Sequence, residues 1–117
     1  MRRIAVYRDG NQIAAQIGPD WVEGIAGFGS TVPEALRDLA YAFADYGYGL
    51  RGNTAGVEVA GEFIQVTASP GQSPADVLLT LARMIEDRGF QDSDFPEPDW
   101  DWLAREERVF PRRGWRN

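Results

Sequence analysis

Residues 3 to 8 alternate along the chain, with Ile4 and Val6 on one side and Ala5 and Tyr7 on the other. That period of two is the signature of a strand. Asp9-Gly10 follows and, read as a two-residue type I′ turn, predicts a hairpin. Ile13, Ala15 and Ile17 continue as the return strand, and Gly18-Pro19-Asp20 makes a second turn. Trp21 to Phe28 reads as a third strand, in which Gly24 and Gly27 point to a bulge or a close backbone approach. The three segments form an antiparallel meander.

The period then changes. Val32, Ala35, Leu36, Leu39, Ala40, Phe43 and Tyr46 follow the three-four spacing of a helix with one buried face. Thr31 and Glu34 are placed as a capping box at its start, and Gly47 and Gly49 end it. A loop through Arg51-Gly52-Asn53 leads to Val57, Val59, Phe63, Ile64 and Val66, which predict one or two short strands around Gly61. The second helix is signposted by Ser73 as N-cap, Pro74 at the first helical position and Asp76 three residues past the cap. Val77, Leu78, Leu81, Ala82 and Ile85 form its apolar face, Gly89 its left-handed cap, and Phe90 the accompanying hydrophobic contact. The two helix starts resemble each other at a constant offset. Two copies are too few for a repeat array, and common N-cap chemistry explains the match.

The predicted fold is α+β in the order β-β-β-α-β-α, a small antiparallel sheet with two helices packed on one face. It occupies residues 1–90. Residues 91–117 differ in composition and read as an irregular C-terminal arm. Asp92, Asp94, Glu97, Asp99, Asp101, Glu106 and Glu107 crowd its first part, and Arg108, Arg112, Arg113 and Arg116 reverse the sign. Phe95, Trp100, Trp102 and Phe110 sit among the charges, while Pro96, Pro98 and Pro111 forbid long regular structure. One short helix over Trp100 to Arg108 fits the remainder.

Composition narrows the chemistry. The 117 residues contain neither cysteine nor histidine, which removes thiolate chemistry, the commonest general base and the commonest transition-metal ligand. The strands offer only Glu23, Glu58 and Glu62 as carboxylates for a magnesium site. Asp-x-Asp occurs at Asp92/Asp94 and Asp99/Asp101, without the glycine and bidentate glutamate of an EF-hand loop. Gly27-Phe28-Gly29 lacks the Lys and Ser/Thr of a phosphate loop. No catalytic residue, cofactor or metal is therefore expected. No apolar run reaches a membrane-spanning length and the first residues lack a signal-peptide pattern, so a cytoplasmic location is expected. A net charge of −6 argues against strong direct nucleic-acid binding and favours a basic protein partner. All twelve basic residues are arginine, for which coding bias is a simpler explanation than phosphate recognition.

Pro19-Asp20 at a turn, Gly24-Ile25 in a strand, and Gly29-Ser30-Thr31-Val32-Pro33-Glu34-Ala35 at a helix start together resemble the N-terminal pattern of HicB-type antitoxins. The likeness covers residues 2 to 46 by motif and extends to Phe90 by element order alone. Ile25 stands where that family usually has cysteine, and Ser30 where it has an acidic residue. The resemblance implies a partial RNase H-like, double-stranded-RNA-binding-like fold and a role in neutralising a small basic RNA-cleaving toxin. Many members add a C-terminal DNA-binding module, for which residues 91–117 are too short, acidic and proline-rich.

Asp99, Trp100, Asp101, Trp102 and Phe95 are the candidate partner-binding residues, because tryptophan is enriched at interface hot spots. The same rings could instead fold onto the domain's own sheet, or exchange between two copies as a homodimer. Four function classes are weighed: an antitoxin-like inhibitor of a toxin nuclease, a phage- or mobile-element-encoded inhibitor (such as an anti-CRISPR protein) of the nucleic-acid-binding effector of a nucleic-acid-directed defence system, a homo-oligomeric structural module, and, least favoured without His or Cys, an enzyme using carboxylates and a metal.

Overall fold

The alternating segment at the start of the chain becomes a strand that serves two ladders. In the computed structural model, which describes residues 2–18, 24–46 and 54–105, it is divided at Ile4 into β1 (Arg2–Arg3) and β2 (Ala5–Asp9). β1 runs parallel to β5 (Thr54–Val59), and the Ile4 N–H extends that contact with a 2.8 Å bond to the Gly56 carbonyl. β2 then leaves β5 and pairs antiparallel with β3 (Gln12–Ile17), which pairs with β4 (Ile25–Gly29). β6 (Glu62–Thr67) is the antiparallel partner of β5. The result is α+β with two small sheets, β2-β3-β4 and β1-β5-β6, joined at the first strand. The expected single sheet is thus forked, and the segment around Gly61 supplies two strands.

Ile4, Val6, Ile13, Ala15, Ile17, Ile25, Val57 and Ile64 point to one face and form the core with α1 (Val32–Tyr46) and α2 (Pro74–Arg88). Both helices begin as the capping residues require. Ser73 and Asp76 exchange backbone bonds of 3.2 Å in a full capping box, and Gly89 closes α2 at φ 71° with its N–H on the Glu86 carbonyl. At α1, Thr31 Oγ1 accepts from the Glu34 N–H at 3.3 Å, but the Glu34 carboxylate reaches the N–H of Ser30. Gly27 and Gly29 lie on the core face of β4, where α1 crosses. A Cβ on Gly27 would fall 2.1 Å from the Leu39 amide nitrogen, so only glycine lets the helix backbone lie on this strand.

The first hairpin differs from its predicted form. Asp9 pairs with Gln12, so the loop is Gly10-Asn11, and positive φ falls on Gly10 alone, as a glycine-first turn requires. The second hairpin, Ala60-Gly61, has positive φ at both positions, 50° and 83°, the type I′ pattern. The Pro19-Asp20 turn, Trp21 to Glu23, Gly47, Gly49, Arg51-Gly52-Asn53, Glu106, Glu107, Phe110, Pro111 and the arginines at 108, 112, 113 and 116 lie outside the described residues.

Candidate protein-binding surface

The second face of the sheet carries Arg3, Ala5, Tyr7, Ala14, Gln16, Gly56 and Phe63 by strand alternation. Ala5, Ala14 and Gln16 are nevertheless buried, so this face is covered too. The first part of the arm contributes to that cover. Gln91 leads into a short 3₁₀ turn, Asp92–Asp94, whose Asp94 carbonyl accepts the Ala60 N–H at 2.8 Å. Phe95 packs on the main core, edge-on to Phe90 at 6.4 Å. Residues 95–98 then run beside the fork between β2 and β5. They line a cavity of about 370 Å³ on the β2 side with Tyr7 and Arg8, and one of about 190 Å³ on the β5 side with Arg3 and Glu58.

Beyond the fork, α3 (Trp100–Arg105) lies on the second face. Asp99 starts it, its carboxylate accepting the Trp102 N–H at 3.0 Å and its carbonyl the Leu103 N–H at 3.0 Å. Leu103 is 2% exposed. The Trp100 ring meets Tyr7 edge-on at 5.2 Å, and its Nε1 donates to Glu97 at 3.3 Å. Trp102 lies 4.9 Å from the Arg3 guanidinium carbon, which also sits over Phe63 at 5.7 Å. Arg3 Nε is buried without a hydrogen-bond partner. Among the described residues, its cation meets two π faces and no carboxylate.

Tyr7 joins this surface to the sheet. Its hydroxyl donates to Gln16 Oε1 at 2.8 Å, and Gln16 Nε2 donates to the Gly18 carbonyl at 3.0 Å. Both functions of the buried amide are thereby satisfied. Burial, and then the nearby Asp9 charge, push the Tyr7 hydroxyl above its ordinary pKa.

The five candidate residues occur in one segment but face different ways. Phe95 is turned into the core, Asp99 is used as a cap, and Trp102 is half-buried on Arg3. Trp100 remains 44% exposed, and Asp101 is exposed beside it. The carboxylates around them are engaged locally. Glu97 holds the Trp100 indole, Asp94 accepts the Gln91 N–H, and Asp92 faces Arg8 at 3.7 Å. The platform residues Arg3, Phe63 and Gln16 and the anchor Leu103 were not evident from sequence. Strand alternation placed Ala5 and Tyr7 on one face, which was the available hint of a second packed surface.

Among the described residues, no three of His, Cys, Asp and Glu come together to hold a metal ion. Among the same residues, no helix is long and apolar enough to cross a membrane. Comparison of the chain with protein-family models, characterised proteins and solved structures found no match. The functional reading therefore rests on the residues and their geometry.

Proposed function

We propose that this chain is a non-catalytic cytoplasmic inhibitor that binds a small basic RNA-cleaving toxin, as HicB-type antitoxins do. Trp100 carries the reading. Its ring is held at a fixed angle on Tyr7 and tethered through Nε1 to Glu97, yet 44% of the residue faces solvent beside Asp101. A rigid indole within an acidic surround loses little side-chain entropy on binding and suits a basic, partly apolar partner. The element order supports the family likeness: a three-stranded meander, a helix, a return strand and a second helix, with β6 added.

The test is to sequence the genes that flank this chain's own and to co-express the chain with any short basic protein they encode. The proposal expects the pair to restore growth where the basic protein alone arrests it, and to protect RNA from cleavage in a purified mixture. Unimpeded cleavage with the chain in excess would refute it.

A further inference from the structure

The two outer strands of the molecule are finished differently. On β4, the outward N–H of Phe28 is taken by the Asp38 carboxylate of α1 at 2.8 Å. On β6 no described residue plays that part. The two-residue loop makes Val59/Glu62 a hydrogen-bonded pair, so the outward groups belong to Phe63, Gln65 and Thr67. The Gly56 carbonyl, opposite Gln65, points away from β6 to Ile4, as this alternation requires. Among the described residues, the outward backbone groups of Phe63, Gln65 and Thr67 meet no hydrogen-bond partner. The strand has no proline, lysine or bulge, and its one charge, Glu62, is at the end and paired with Arg88 at 2.7 Å. Such an edge is open to pairing with another strand.

We infer that β6 is a self-pairing edge, where a second copy of this chain adds its own β6 antiparallel about a two-fold axis through Gln65. The sequence is self-complementary in that register. Phe63 faces the partner's Thr67, an aromatic against a β-branched residue, and Gln65 faces its own copy as an amide pair. On the other face Ile64 meets the partner's Val66, and no like charges are opposed within the strand. The neighbouring helix supplies further apolar surface. The Arg88–Glu62 bond places that side of α2 beside β6, and Met84, one turn earlier on the same side, is 38% exposed. Val66 is half-buried and packs against the core. The pairing would be isologous and closed, so it stops at a dimer. It shares Phe63 with the α3 platform but makes no use of Trp100, and it does not depend on the inhibitory reading.

Analytical ultracentrifugation with amide hydrogen exchange on the full chain tests this. A concentration-dependent dimer is expected, with the outward amides of Phe63, Gln65 and Thr67 protected alongside the inward ones. Gln65→Lys puts two like charges at the axis, and Gln65→Pro removes an outward donor without touching the β5 ladder. Each should yield monomer with unchanged circular dichroism and should expose the Phe63 and Thr67 amides. A wild-type chain that sediments only as monomer would overturn the inference. So would a dimer that survives both substitutions, or one whose three outward amides exchange freely.

Discussion

Replacing Leu103 by alanine probes the covered second face directly. Leu103 is 2% exposed on a helix of six residues, too short to persist in water on its own. Leucine-to-alanine changes at such sites cost about 2 to 5 kcal/mol. The remaining ring contacts of α3 with the sheet are the Trp100–Tyr7 edge contact, worth about 0.5 to 1.5 kcal/mol, and the Trp102–Arg3 contact, worth about 0.5 to 1 kcal/mol. Ordering the backbone of each helix residue costs about 1 to 2 kcal/mol, so losing the Leu103 contribution should release α3. The core beneath α1 and α2 does not include Leu103 and should persist. In a background with Trp21 and Trp115 changed to phenylalanine, Leu103→Ala should shift the tryptophan emission to the red. The α3 amides should lose exchange protection while those of α1 and α2 keep theirs. Unchanged emission and unchanged α3 protection would refute the packing argument, and simultaneous loss of protection in all three helices would refute the claim that α3 is a separable cover.

Gly27→Ala places a Cβ against the α1 backbone and should lower stability by about 3 kcal/mol or more in urea unfolding, because neither backbone can yield without opening the core. Ala60→Asn should raise stability by about 0.5 to 1 kcal/mol in the same assay, since the left-handed conformation at φ 50° disfavours alanine and suits asparagine. Burial raises the Tyr7 pKa, so the native state holds this proton longer than the unfolded chain does. Its contribution is fully present below about pH 10, the unfolded value, and is lost as pH rises through the higher native value. Melting temperature should therefore fall more steeply above about pH 10 in the wild type than in Tyr7→Phe, and equal slopes would count against it.

How much of this was legible in the sequence depends on distance along the chain. Ser73, Pro74 and Asp76 announce α2 within four residues, and the periodicity from Val32 to Tyr46 marks α1, because capping and amphipathic spacing are local. The first hairpin was legible as a turn but displaced by one residue, since Gly10 can supply positive φ at either central position. The fork was not legible. It lies where Phe95–Pro98 come beside Ile4 and Val57, about ninety residues further along the chain. Nor was the platform for α3, because an arginine held between Phe63 and Trp102 leaves no periodic trace. Leu103 is a lone aliphatic residue in an acidic run, and no spacing argument marks it for burial.

The decisive measurement is the dissociation constant between this chain and a short basic protein found encoded next to it, measured by calorimetry for the wild type and for Trp100→Ala. Exchange protection of α3 should be recorded in both, so that a released helix is not mistaken for a lost contact. The account predicts a tight wild-type complex weakened by about 2 kcal/mol or more, roughly thirtyfold, with α3 still protected. No measurable wild-type complex, or equal affinity for both forms, would contradict it.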